Sequence, residues 1–103
     1  MMFFTEETIS SAHTVHAREF FPAVGTPEAP ASGTTNRALG CYLMEFEALH
    51  HSDEEVQQIV TEQGYEMGRP SQIETQLILK DGVVQLCRVG GISTKVMQGE
   101  LFL

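Results

Sequence analysis

Residues Pro22–Ser32 carry Pro22, Gly25, Pro27 and Pro30 and run straight into Ser32-Gly33-Thr34, which opens a stretch of helical propensity. Small residues at a helix N-terminus leave backbone N–H groups free, and the helix dipole favours an anion there. The same residues would also serve as a plain N-cap, with Ser32 or Thr34 accepting a backbone N–H. Other reactive types are less well spaced. His50-His51 precede Asp53, Glu54 and Glu55, but adjacent side chains diverge and no H-x3-H or H-E-x-x-H spacing is present. They read as a solvated helix end, and no metal site is expected. His13 and His16 flank a strand and are expected at the surface. Cys41 and Cys87 lie in apolar runs without C-x-x-C spacing, so both are expected as buried, reduced thiols. Cys41 in particular reads as core, too deep in its helix for the reactivity of a helix-N-terminal thiol.

These residues need elements to hold them. The 103 residues make one domain, 1–103, and a chain of this size buries roughly 60–70 % of its unfolded surface. Hydrophobic residues are 42 % and charged residues 19 %, an ordinary globular balance. The formal net charge of −8 repels phosphate backbones and anionic lipid, so neither nucleic acid nor a membrane surface is an expected partner. Ala38–Met44, the longest apolar stretch, is too short to cross a bilayer. No basic residue precedes Arg18, so no signal peptide is read and a cytoplasmic location is expected.

Met2-Phe3-Phe4 reads as extended, and in Thr14–Phe21 the residues Val15, Ala17 and Phe21 alternate with His16 and Arg18, a strand period. Pro22–Ser32 is too rich in proline for a regular element. Thr34–Leu49 is helical and apolar around most of its circumference, so other elements must surround it. Gly40 at its middle suggests close backbone packing. Val56–Gln63 is ambiguous: Asp53-Glu54-Glu55 looks like a helix start, while Ile59-Val60-Thr61 favours a strand. Ile73–Lys80 alternates again, and Asp81-Gly82 is a two-residue hairpin signal that sets Leu79 opposite Val84 and Leu77 opposite Leu86. Gly90-Gly91 ends the return strand. Ile92–Met97 and Glu100–Leu103 are expected as a second hairpin around Gln98-Gly99. The expected fold class is α+β, an antiparallel curled sheet wrapped around one buried central helix.

Two stretches together resemble a known family. Residues 18–40, REFFPAVGTPEAPASGTTNRALG, resemble the signature of the phenazine-biosynthesis PhzF-like family, R-x-F-x-P-x-x-G-x-x-E-D-P-x-T-G-S-A followed by a helix with a Leu-Gly step. Residues 62–71, EQGYEMGRPS, match the family's E-Q-G-x-x-M-G-R-P-S segment. Val89-Gly90-Gly91 and Gly99-Glu100-Leu101 match its closing strands. The resemblance implies the diaminopimelate-epimerase-like fold, in which two pseudo-symmetric domains each wrap a sheet around a helix and share a cleft. It implies isomerase-like proton transfer beside a carboxylate, with no metal or cofactor. It assigns Ser32, Gly33 and Thr34 to a substrate carboxylate, Thr34 standing where the family has a Ser.

The departures bear on chemistry. By the same resemblance this stretch corresponds to the closing portion of a family member, half-length, without the first domain and its proton-transferring Glu. The family's acidic Asp is Ala29 here. Glu28 beside it is a speculative catalytic residue, expected to point elsewhere, so whether the chain is an enzyme stays open. Arg37 is read as a dimer-contact residue or a cleft cation, and Arg69 as a ligand partner or a structural residue of its turn. In the family fold the final strand returns to the first domain, which would leave Leu101-Phe102-Leu103 unhoused. Such apolar edges find partners. The expected remedy is a homodimer, with swapped C-terminal strands, that binds a small carboxylate in an inter-subunit cleft. The alternatives are a non-catalytic scaffold, paired with itself or with a separate first-half chain, and a residual fragment without ligand.

Overall fold

The computed structural model describes residues 1–46 and 55–103. Its elements are β1 (Met2–Thr5), β2 (Val15–Phe21), β3 (Thr26–Ala29), α1 (Gly33–Glu45), β4 (Val56–Gln63), β5 (Ser71–Lys80) and β6 (Val83–Gly90). Short 3-10 turns occupy Pro22–Val24 and Tyr65–Met67. The strands form one six-stranded sheet in the order β1-β2-β4-β5-β6, with β3 beside the second half of β2. The α+β class is as expected. The proline-rich stretch nevertheless supports a regular element: Pro27 sits in β3, a short strand at the sheet's margin where a missing N–H costs little.

β4 resolves as a strand, which settles the ambiguous segment. It pairs antiparallel with β5 but parallel with β2, so the sheet is mixed rather than wholly antiparallel. The crossover through β3 and α1 makes the parallel pairing possible. Across the β5–β6 hairpin the turn residues Asp81 and Gly82 both have positive φ, 52° and 76°, as a type I′ turn demands. Leu79 opposes Val84 as expected, but a bulge between Ile78 and Leu79 shifts the rest, so Leu77 opposes Cys87 rather than Leu86.

The core is Val15, Leu39, Leu43, Ile59 and Leu77, where α1 lies on the sheet. Gly40 permits that approach: a Cβ there would meet Thr75 Cγ2 at 2.8 Å. Among the described residues the helix is buried along one face and exposed along another. α1 buries Asn36, Leu39, Gly40 and Leu43, while Cys41, Tyr42 and Phe46 are exposed. Tyr42 stacks on Phe46 at 4.7 Å and meets Phe4 edge-on at 5.9 Å, so aromatic contacts cover part of that face instead. The cysteines are accordingly not both buried: Cys41 is exposed and Cys87 half-buried.

Residues 91–103 adopt no regular structure, and the expected second hairpin does not form. Among the described residues β6 is the last strand of the sheet order on that side. Among the described residues no helix is long and apolar enough to cross a membrane. His50, His51, Asp53 and Glu54, with the expected end of the helix, lie outside the described residues.

Candidate functional site

Ser32 is the N-cap of α1. Its backbone is extended, and its hydroxyl accepts from the Thr35 N–H. The Ser32 hydroxyl in turn donates to the Thr35 oxygen at 2.9 Å, and the Thr35 hydroxyl donates to Glu19 Oε1 at 2.8 Å. The first turn is thus moored to a carboxylate buried on β2. Gly33 and Thr34 are exposed, and their backbone N–H groups meet no hydrogen-bond partner among the described residues. Amides so placed at a helix start suit an anion.

The loop before the helix is held by the two sequence motifs acting on each other. The Asn36 amide donates to Gln63 Oε1 at 2.9 Å, and Gln63 Nε2 donates to the Ala29 carbonyl at 2.9 Å. The Ser71 hydroxyl lies 2.7 Å from the Pro30 carbonyl and 3.0 Å from that of Gln63. Gly64 sits between these segments with φ +82°, and a Cβ there would meet the Arg69 and Pro30 carbonyl oxygens at 2.3 and 2.8 Å. Only glycine fits both the conformation and the space. The E-Q-G segment therefore buttresses the helix-opening loop.

Glu28 does not face the helix start as a free carboxylate. Arg18 grips it with Nε and Nη2 at 2.9 and 3.0 Å, a fork geometry. The guanidinium also stacks on Phe20, 5.0 Å from the ring centre, and holds the Glu28 carboxyl below the usual range.

A second constellation lies further along β2. Glu62 on β4 is fully buried although it points away from Thr61 and Gln63, because residues 8–13 fold over it. Each oxygen accepts two hydrogen bonds. Oε1 takes the Ser10 N–H at 2.8 Å and His13 Nδ1 at 2.6 Å; Oε2 takes the Ile9 N–H at 2.9 Å and His16 Nδ1 at 2.8 Å. His16 Nε2 donates to Glu66 Oε1. Burial pushes the Glu62 carboxyl up, but the four donors outweigh it and bring it down to about 2. Carboxylates at both ring nitrogens favour the imidazolium form of His16 and raise its pKa, Glu62 foremost, against the opposing cost of burial. His16, Tyr65 and Glu66 line an open cavity of about 440 Å³ with Glu7, Thr8 and Ile9. Ser32, Gly33 and Thr34 are not among its walls.

The family described as phenazine biosynthesis-like proteins, PhzC-PhzF, matches residues 1–99. The chain belongs to this family. A protein of Mesorhizobium japonicum named an uncharacterized isomerase is 34 % identical over 100 residues, covering 97 % of this chain and 32 % of that protein. The uncharacterized isomerase YfhB of Bacillus subtilis is 31 % identical over 84 % of this chain and 28 % of its own length. YddE of Escherichia coli K12, also named an uncharacterized isomerase, is 26 % identical over 95 % and 33 %. The chain therefore spans about a third of the length of the curated relatives it matches.

In this PhzF-like chain the structure brings Ser32, Gly33 and Thr34 together at one helix end. Arg37 and Arg69 are exposed; the Arg69 N–H donates to the Gly64 carbonyl at 3.0 Å, a turn contact. The surface placement expected for His13 and His16 is corrected, since both side chains are largely covered, 10 % and 14 % exposed. The ambiguity of β4 concealed this network. Once 56–63 is a strand, His16 falls directly opposite Glu62 in the parallel register. Among the described residues no group of three or more potential ligands is placed to hold a metal ion.

Proposed function

We propose that the chain is the closing portion of a PhzF-like isomerase fold and works as a homodimer that binds a small carboxylate between subunits, without cofactor. The observation that carries the pairing is the segment after β6. Ile92, Val96, Met97, Leu101 and Phe102 are 97, 91, 85, 84 and 86 % exposed, on backbone outside the sheet. Exposed apolar chain of this kind is satisfied by joining another sheet. A second copy offers the same edge in return, so exchange of tails covers both. The diaminopimelate-epimerase-like architecture is then a property of the pair. The carboxylate is received by the Gly33 and Thr34 amides and the Thr34 hydroxyl, with Ser32 holding the turn. A cytoplasmic setting belongs to the same reading.

Light scattering across a dilution series tests the pairing: a dimer that is lost on deletion of residues 92–103 is expected, and a monomer at every concentration overturns it. A carboxylate present at 100 times its Kd should add about 2.7 kcal/mol to stability. A melting temperature unmoved by a panel of small amino and aromatic acids would sink the binding claim.

A second reading, a non-catalytic scaffold that pairs with itself or a separate first-half chain, is favoured by Ala29 at the acidic position and by the Arg18 clamp on Glu28. Proton transfer at carbon needs a positioned acid and base, each contributing about 10²–10⁴ in rate. Deuterium uptake by small carboxylates in D₂O separates the two: uptake marks an isomerase, and binding without uptake marks a scaffold.

A further inference from the structure

Cys41 and Cys87 are far apart in sequence, yet the fold brings them to one seam between α1 and β6. The Cys87 thiol reaches the Arg37 carbonyl at 4.0 Å. Arg37 lies one helical turn before Cys41 on the same face, and helical side chains lean back over the preceding turn. Cys41 therefore sits on the helix turn whose Arg37 carbonyl the Cys87 sulfur touches, within electrostatic reach of that sulfur. Burial pushes the Cys87 thiol up, the nearby Cys41 thiol adds to the rise chiefly by charge repulsion, and the Arg37 charge opposes it. Gly40 lets α1 settle close enough to the sheet for such contact. Of the pair, Cys41 is exposed and Cys87 half-buried.

We propose that Cys41 and Cys87 form a redox-active dithiol, closed into an intramolecular disulfide by a small-molecule disulfide of the glutathione-disulfide class. Exposed Cys41, as thiolate, attacks one sulfur of the small disulfide; that S–S bond breaks and one small thiol leaves. Cys87, as thiolate, then attacks the Cys41 sulfur, the mixed bond breaks and the second small thiol leaves. Two electrons pass from the protein to the small disulfide, and the two protein protons end on the released thiols. The bond ties α1 to the edge strand from which the 91–103 tail departs.

The test is incubation of the full chain with oxidised glutathione, followed by intact mass and tryptic mapping under non-reducing conditions. The expected product has lost two hydrogens and carries no glutathione. Its peptides 38–80 and 81–88 are joined, trypsin not cutting before Pro70, and dithiothreitol separates them. Cys87→Ser should stall with glutathione held on Cys41, and Cys41→Ser should react far more slowly. Wild-type protein that retains glutathione on Cys41, that links two chains, or that leaves both thiols free overturns the proposal.

Discussion

His16 stands directly across the β2–β4 ladder from Glu62, and its Nδ1 donates to the buried carboxylate at 2.8 Å. The pair makes stability depend on pH in two opposite limbs. Glu62 is depressed from 4.5 to about 2 in the folded chain, so its contribution is present above pH 4.5 and is lost as pH falls towards 2. His16 is raised above 6.5, so its contribution is present below pH 6.5 and is lost as pH rises through the raised value. Urea unfolding from pH 2 to 9 should show both limbs. Glu62→Gln should flatten them and cost about 3 kcal/mol near pH 6, because the glutamine NH2 faces two of the four donors and the negative charge is gone. Unaltered limbs in that variant would refute the assignment.

Glu28 is committed to Arg18 through both oxygens, so it is not expected to act as a base. Any deuterium uptake catalysed by the wild type should persist in Glu28→Gln at a similar rate, with a lowered melting temperature as β3 loosens. Exchange abolished in a variant that remains folded would restore Glu28 as a catalytic residue.

Gly64→Ala would place a methyl group 2.3 Å from the Arg69 carbonyl oxygen, at a φ of +82°. The cost should be about 3 kcal/mol or more. Amide exchange should rise at Ala29 to Thr35 as well, because the loop is held from this side. Gly68→Ala, also at positive φ but with nothing within 4 Å, should cost about 1 kcal/mol.

Ser32 and Thr34 separate capping from binding. Ser32→Ala removes the cap and should cost about 1 kcal/mol of stability. Thr34→Val alters an exposed residue, so stability should hold while the affinity for a small carboxylate falls several-fold by calorimetry. Equal affinity in Thr34→Val would exclude its hydroxyl from the site.

The sequence by itself determined what is local. Alternation in Thr14–Phe21 and Ile73–Lys80 marked strands, Asp81-Gly82 marked the turn after the second of them, and Ser32 or Thr34 marked the start of the helix, because side-chain period and turn chemistry are set by near neighbours. The family, too, was legible in residues 18–40 and 62–71. Tertiary structure alone decided where distant residues meet. Ile59-Val60-Thr61 suits a strand but does not state a parallel partner, and only that partner turns His13, His16 and Glu62 into one buried network. A single bulge after Ile78 moved Cys87 opposite Leu77, and α1 packed against β6 there placed one thiol beside the other. Hydrophobic burial rewards such contacts only once the chain has closed on itself, so composition and periodicity carry no record of which pairs they are.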